Sequence, residues 1–299
     1  MIRSNKSSVS LRILMALAAC AIALSASAEI SPGGRGVLYG ANHAFAVTAP
    51  SGWVLDNQSA AAQHIFMTFY PEEFTWADSP VVVYGQVGEG SAEKQVAKTV
   101  RQFHAHNSPN YQARPGEPLK MPNGKLAQVY FFQGDQWGNY EAGIYFSEKE
   151  TLNFLIFSAR DQEHFRQYWP QFQRLAQSYE NVYDRIHSVT RDYYNSLHES
   201  TRRVTNTAKG RKYEDDDLEL IGRTISNTMA DCAGSMERQL PKDFSVIEEV
   251  MPDGRAGEIY LYPRTASSVC FAAQLLFVQH QRHDFKPYYP LVIDMKFTP

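Results

Sequence analysis

Residues 244–262 read FSVIEEVMPDGRAGEIYLY, and this stretch decides the fold of the C-terminal part of the chain. Two β-rich runs, 244–251 and 258–262, flank the sequence Pro-Asp-Gly, which tolerates the positive φ of a tight hairpin turn. Helical patterns lie on both sides of this hairpin, and residues 291–297 form one more apolar run. The pattern predicts elements in the order α-β-β-α-β.

Each of the two helical patterns carries one cysteine, Cys232 before the hairpin and Cys270 after it. They are the only cysteines left once residues 1–28 are removed. Because pairing is the default in an oxidising compartment, we expect a disulfide between them. The alternative is two buried free thiols.

Residues 1–28 have the three parts of a secretory signal peptide. Basic residues come first, an apolar run follows over residues 13–24, and Ala26 and Ala28 have the spacing that signal peptidase accepts. The apolar run is shorter than the roughly 20 residues that span a bilayer. We expect a periplasmic mature protein. The alternative is a lipobox ending at Cys20, which would make the protein an outer-membrane lipoprotein.

Residues 29–180 combine β-rich runs with two amphipathic helical patterns. The runs predict three strands before the first helix and three between the helices, in the order β-β-β-α-β-β-β-α. Ser91 and Asp161 stand where helix N-caps are expected. Pro170 is expected to kink or restart the second helix. The predicted fold class is α+β, an antiparallel sheet with packed helices.

Residues 181–214 differ in character, because a polar helical pattern ends in a short basic run that an acidic cluster follows. We interpret them as a helical connector and a flexible joint, which leaves residues 215–299 as a second, smaller domain. The formal net charge of the whole chain is −3. Cleavage of the leader removes basic residues, so the mature chain has a more negative net charge than the whole chain. A negative net charge argues against a nucleic-acid partner. No transmembrane segment is expected in the mature chain.

The C-terminal domain, residues 215–299, resembles the C-terminal domain of the TonB/TolA family. The matching features are the sequence MPDGRAG at 251–257, the sequence SSVC at 267–270, a loop with Phe285 and Pro287, and the last strand, 291–297. The resemblance implies the same α-β-β-α-β fold, one cysteine in each helix and a protein-interaction role. A retained membrane anchor and a proline-rich spacer are not expected, so energy transduction is not implied.

The N-terminal domain, residues 29–180, resembles the PsbP/Mog group of α/β/α sandwich domains. The similarity lies in Phe45-x-Val47-x-x-Pro50-x-x-Trp53, in the strand 152–158 and in the helix from Asp161. Members of this group are mostly accessory or binding proteins. The resemblance therefore implies a binding domain, although a shared fold is only an analogy for function.

Residues with candidate metal chemistry are few. His280, His283 and Asp284 offer nitrogen and carboxylate ligands at a spacing that is common in proteins. Cys232 and Cys270 have no catalytic context once they are paired. We therefore expect no catalytic residue, no cofactor and no metal site.

Aromatic residues recur in the predicted strands 126–133, 140–147 and 152–158. Alternation sends about half of them to each face of the sheet. They either pack under helices or form a concave binding surface where a face is uncovered.

These features predict an exported, non-enzymatic protein of the bacterial envelope that binds another protein in an accessory, assembly or antidote role. The alternative is a periplasmic metal-dependent hydrolase with a site near His280, His283 and Asp284.

Overall fold

The computed structural model of the chain describes residues 30–63, 65–149, 151–234 and 243–296. The predicted signal peptide and Cys20 lie outside these residues. Helices and antiparallel sheets make up the fold, so the predicted α+β class is confirmed. The chain divides into two compact units, the first built mainly of Phe45–Asn181 and the second mainly of residues from Val182 onward.

The first unit contains most of the strands of the protein. They are β1 (Ile30–Pro32), β2 (Arg35–Gly40), β3 (His43–Thr48), β4 (Trp53–Asp56), β5 (Thr68–Pro71), β6 (Val81–Gly88), β7 (Gln112–Pro115), β8 (Leu119–Lys120), β9 (Leu126–Gln133), β10 (Tyr140–Ser147), β11 (Leu152–Ala159) and β12 (Glu180–Asn181). The main sheet has the order β1-β4-β5-β6-β11-β10-β9-β7, with β8 also paired to β9, and a small sheet has the order β12-β3-β2. Strands that neighbour each other in the main sheet run antiparallel.

Two helices cover opposite faces of the main sheet. They are α1 (Ala92–Ala105) and α2 (Gln162–Gln177). The predicted caps are confirmed: Ser91 accepts a hydrogen bond from the backbone N–H of Lys94, and Asp161 accepts one from that of His164. α2 continues through Pro170, so the helix does not restart there.

The α2 face carries the larger hydrophobic core of the first unit. Phe172 and Leu175 of α2 are fully buried against the sheet. The smaller core lies under α1, where Ala92 and Val96 pack against residues of β9, β10 and β11. Consecutive residues of a strand therefore point to two different faces that are both buried. This explains why many consecutive residues of β10 and β11 are apolar.

The second unit has a four-stranded sheet with helices on both faces. Its strands are β13 (Ile186–Ser188), β14 (Phe244–Val250), β15 (Ala256–Tyr262) and β16 (Tyr289–Met295), in the order β13-β15-β14-β16. Its helices are α3 (Arg191–Thr205), α4 (Ala208–Gly234) and α5 (Ala266–Leu275). β13 runs parallel to β15, and the other pairs are antiparallel.

One face of this sheet packs on α5 and the other on α3. Phe244 of β14 lies 5.6 Å from Phe271 of α5, measured between ring centroids. Tyr262 of β15 points to the opposite face and lies 6.5 Å from Tyr194 of α3. The hairpin predicted from residues 244–262 is confirmed as β14 and β15, with a positive φ at Gly254.

The structure differs from the expected connector and joint at residues 181–214. These residues supply β13, α3 and the start of α4 instead. The physical reason is burial: Ile186 and Tyr194 are both less than a tenth exposed, and the hydroxyl of Thr190 caps α3. The many polar residues of this segment made its amphipathic helical pattern difficult to recognise in the sequence.

The sequence of residues 267–280 predicts a helix from Ser268 to about His280 with Ser267 as its cap, and the structure differs at both ends. Thr265 is the cap instead, because it forms a reciprocal capping box with Ser268. The helix ends at Leu275, and the chain then becomes irregular through His280. Within the described ranges, no helix combines the length and the apolar character of a membrane span.

Candidate binding surfaces

The predicted disulfide between Cys232 and Cys270 is present and joins α4 to α5. The two Cα atoms are 5.8 Å apart, and both residues are buried. A buried disulfide has neither a thiolate nucleophile nor a metal-binding sulfur. The pair therefore has a structural role as a brace between two helices.

His280 lies at the centre of a buried cluster of charged residues. Its Nδ1 is 2.8 Å from Oδ2 of Asp217 on α4, and its Nε2 is 3.0 Å from Oε1 of Glu248 on β14. The three side chains are fully or almost fully buried. Two carboxylates facing one imidazole favour its doubly protonated form, in which both ring nitrogens donate.

Burial and hydrogen bonding compete at this cluster. Burial disfavours a charged ring, but the hydrogen bonds to Asp217 and Glu248 outweigh it and raise the pKa of His280 to about 9. Burial also raises the pKa of Glu248, and the contact with His280 opposes that rise. We therefore assign a protonated His280 whose two ring N–H groups donate to the side-chain oxygens of Asp217 and Glu248.

The other two candidate ligands are engaged elsewhere. Nε2 of His283 donates to the carbonyl of Val250 at 2.9 Å, and its Nδ1 accepts from the backbone N–H of Phe285 at 3.2 Å. Asp284 is exposed and pairs with Lys209. The structure thus separates His280, His283 and Asp284 instead of bringing them together. Among the described residues, no group of three or more His, Cys, Asp or Glu side chains has metal-binding geometry.

The aromatic residues of the main sheet divide between its two faces as alternation predicts. Phe131, Phe146 and Phe157 belong to the core under α2, whereas Tyr145 and Phe154 belong to the core under α1. The α1 face is only partly covered. On this face, four side chains of β6 and β11 that neighbour one another are half-buried. We call these four residues the open strip (Val82, Tyr84, Ile156 and Ser158).

Strand register shows why the open strip is left uncovered. Asp56, Thr68 and Tyr84 form one row across β4, β5 and β6. Asp56 and Thr68 are buried, because the loop after β4 folds back and donates the backbone N–H groups of Gln58 and Ser59 to Asp56. On the other side, α1 buries the rows of β9 and β10. The open strip lies between this loop and this helix.

A pocket of about 290 Å³ lies at one end of the open strip. Val82 and Ser158 of the strip line it, together with Trp76, Asn139 and Arg160. Nη2 of Arg160 donates to the carbonyl of Ala77 at 2.9 Å, which fixes the guanidinium at the pocket wall. The pocket is at the lower end of the size range of small-molecule sites.

Glu141 lies beside this pocket, in the same row as Val82 and Ser158. The hydroxyl of Tyr111 donates to its Oε2 at 2.6 Å. Burial raises the pKa of Glu141, and hydrogen bonds from Tyr111 and Ser158 oppose that rise. A satisfied, buried carboxyl of this kind fixes the position of Ser158 on the open strip.

His280 is recognisable as a candidate ligand in the sequence, but its two partners, the open strip and Glu141 are not. Asp217 and Glu248 are 63 and 32 residues from His280 in the chain. An acidic residue within an apolar run, as at Glu248, is a local signal that could have indicated such a partner.

No family model and no curated protein match the chain. Among solved structures, PsbP (CyanoP) of Synechocystis has 11% identity and a TM-score of 0.35, covering 53% of this chain and 98% of that one. The Ran-binding protein Mog1p of Saccharomyces cerevisiae has 9% identity and a TM-score of 0.33, covering 52% of this chain and 97% of that one.

A protein from Bacteroides thetaiotaomicron has 14% identity and a TM-score of 0.30, covering 66% of this chain and 70% of that one. PsbP and Mog1p are the proteins after which the group predicted for residues 29–180 is named. None of the three is described as a TonB or TolA domain, so that resemblance of residues 215–299 stays a prediction.

Proposed function

We propose that the protein is an exported, non-enzymatic component of the bacterial envelope that binds another protein through the open strip. The observation that carries this proposal is the incomplete cover of the α1 face. Valine, tyrosine and isoleucine side chains are only partly buried there, in the middle of a large sheet. Apolar surface of this kind, rimmed by polar groups, is typical of protein-interaction sites.

The composition and support of the open strip also favour a protein ligand. Its residues lie on central strands, and antiparallel neighbours hold these strands on both sides. A rigid surface loses little conformational entropy on binding. Trp76 and Arg160, at the pocket that ends the strip, are the residue types enriched at interaction hot spots.

The proposed location rests on two independent features. The sequence of residues 1–28 has the form of a signal peptide, and the disulfide between Cys232 and Cys270 suits an oxidising compartment. We propose the periplasm as the site of action, with an outer-membrane lipoprotein as the alternative if Cys20 is lipidated. An accessory, assembly or antidote role follows from binding without catalysis.

Affinity purification of the full chain from its own envelope tests the proposal when a matched pair of variants is included. Ile156→Lys places a charge on the open strip. Leu126→Lys places the same charge on a residue that is 67% exposed, at the start of β9. We expect a co-purifying protein with the wild type and with Leu126→Lys, and a loss of at least about tenfold with Ile156→Lys, since an unpaired buried charge costs well over 1 kcal/mol.

The folding of each variant is checked by circular dichroism and thermal melting, and Val82→Lys provides a second change on the same strip. Equal recovery of the partner by all three variants would show that the strip is not the binding surface. Consistent absence of any partner of the wild type would contradict the proposed function itself.

A further inference from the structure

A cluster of tyrosines in the second unit surrounds an acidic residue at one end of the sheet face that packs on α3. We call it the tyrosine cluster (Tyr193, Tyr260 and Tyr288). Tyr260 lies on β15, Tyr288 directly precedes β16, and Tyr193 lies in the first turn of α3. Glu249 of β14 lies between these elements, because β14 pairs with both β15 and β16.

The phenols converge on the carboxylate of Glu249. The hydroxyl of Tyr260 donates to Oε1 of Glu249 at 3.4 Å, and Tyr288 also forms a side-chain hydrogen bond with Glu249. Tyr193 is near enough to both other phenols to interact with them electrostatically. Burial, and then the negative charge of Glu249, raises the pKa of Tyr260 to about 12, so this hydroxyl stays neutral and continues to donate.

The cluster is accessible from outside the unit. Tyr193 is 54% exposed, and Tyr260, Tyr288 and Glu249 are each half-buried. Large aromatic side chains with this exposure retain ring faces that another molecule can contact. α3 covers the other end of the same face, where Tyr194 packs near Tyr262.

The charge of Glu249 is not balanced by a cation. Among the described residues, no lysine, arginine or histidine forms an ion pair with this carboxylate. The neighbouring acid, Glu258, is different, because its Oε2 lies 2.6 Å from Nε2 of His187. The tyrosine cluster therefore presents aromatic rings and one carboxylate that forms no ion pair with any described residue.

The same sheet face already binds a cation of this chain by the same chemistry. The guanidinium of Arg191 lies 5.4 Å from the ring centroid of Tyr262, and its Nε donates to the hydroxyl of that residue at 3.1 Å. A tyrosine face attracts a cation through the quadrupole of its ring. The ring of Tyr260 already lies 5.2 Å from that of His187, measured between centroids. Tyr193 and Tyr288 offer two further rings beside a carboxylate, a group that arginine and lysine both recognise.

We infer that the tyrosine cluster and Glu249 bind a basic side chain, arginine in particular, presented by a partner protein. The guanidinium stacks on the phenol rings while its N–H groups donate to the carboxylate of Glu249. The binding of a partner protein rests on the proposed function, but this site lies in the second unit and shares no residue with the open strip.

A titration with short peptides, followed by NMR of the full mature protein, tests this inference. The probes are acetyl-Gly-Arg-Gly-amide and the same peptide with citrulline, which keeps the shape of arginine and lacks its charge. We expect the arginine peptide to shift the signals of Tyr193, Tyr260 and Glu249 and to bind at least about fivefold more tightly than the citrulline peptide.

Variants separate the site from a general charge effect. Glu249→Gln and Tyr193→Ala should each weaken binding of the arginine peptide by about fivefold. Glu219→Gln removes an exposed carboxylate from α4 and should leave binding unchanged. Equal binding of both peptides, no shifts with either peptide, or equal weakening by Glu249→Gln and Glu219→Gln would each overturn the inference.

The strip variant Ile156→Lys distinguishes this inference from the proposed function. It should bind the arginine peptide like the wild type, even where it loses the partner protein. If it loses both, the tyrosine cluster is not a separate site.

Discussion

His280 is a histidine whose environment favours the charged form. Carboxylates from α4 and β14 contact its two ring nitrogens in a site closed to water. Removing one member of such a buried group leaves the others uncompensated, which typically costs about 3–5 kcal/mol. The cluster therefore links α4, β14 and the segment after α5.

We predict that the stability of the protein falls as the pH rises from about 6.5 to 9. The pKa of His280 is about 9 in the folded protein and 6.5 in an unconstrained chain. A group with a raised folded pKa stabilises fully below its unfolded pKa, and this contribution disappears as the pH passes through the folded value. The expected loss is up to roughly 3 kcal/mol.

Urea unfolding at several pH values across this range measures the effect. His280→Gln cannot be protonated, so its free energy of unfolding should depend less on pH over the same interval. Identical pH dependence of the variant and the wild type would show that His280 does not carry the stabilising proton.

At this scale the sequence predicted the residue but not its chemistry. His280 stood out because His283 and Asp284 follow it closely, yet the actual partners are distant in the chain. The ligand pattern was a coincidence of spacing, since the backbone directs His283 to the carbonyl of Val250. Long-range contacts of this kind leave no periodic signal in a single sequence.

Among the structural elements, α4 and α5 are joined covalently by the disulfide between Cys232 and Cys270. It joins residues separated by 38 positions. By the chain-entropy estimate, closing such a loop stabilises the folded state by about 4 kcal/mol. The disulfide ties α4 to α5, the helix that packs on β14.

We predict that replacing both cysteines, in the double variant Cys232→Ser/Cys270→Ser, lowers the free energy of unfolding by about 4 kcal/mol. Chemical denaturation of the oxidised wild type and of the variant gives this difference. Dithiothreitol should destabilise the wild type by a similar amount and leave the variant unaffected. A reductant effect on the variant equal to that on the wild type would exclude the disulfide as the cause.

Elements with strong local signals were predicted well. The Asp253-Gly254 turn between alternating strands, and the caps Ser91 and Asp161, lie where the sequence placed them. β13 was missed because it has three residues and pairs in parallel with a strand more than 70 positions away. Such short parallel pairs depend on tertiary packing and not on local propensity.

On the scale of the whole molecule, each unit has a sheet with helices on both faces, and the cover of these faces is incomplete in different ways. In the first unit, α1 and the loop after β4 leave the open strip between them. In the second unit, α3 leaves the tyrosine cluster accessible at one end of its face. The alternation of residues predicted that the aromatic side chains divide between the faces. It could not show which face a helix leaves uncovered, because that depends on the position at which α1 crosses the sheet.

The open strip is the proposed binding surface, and site-specific photo-crosslinking in the native envelope is a direct test of it. A photoreactive phenylalanine analogue replaces Tyr84 on the strip in one strain and the exposed Leu126 in a control strain. We predict that light joins the protein to one discrete partner from position 84 and not from position 126. No crosslinked product at position 84, or the same products from both positions, would contradict it.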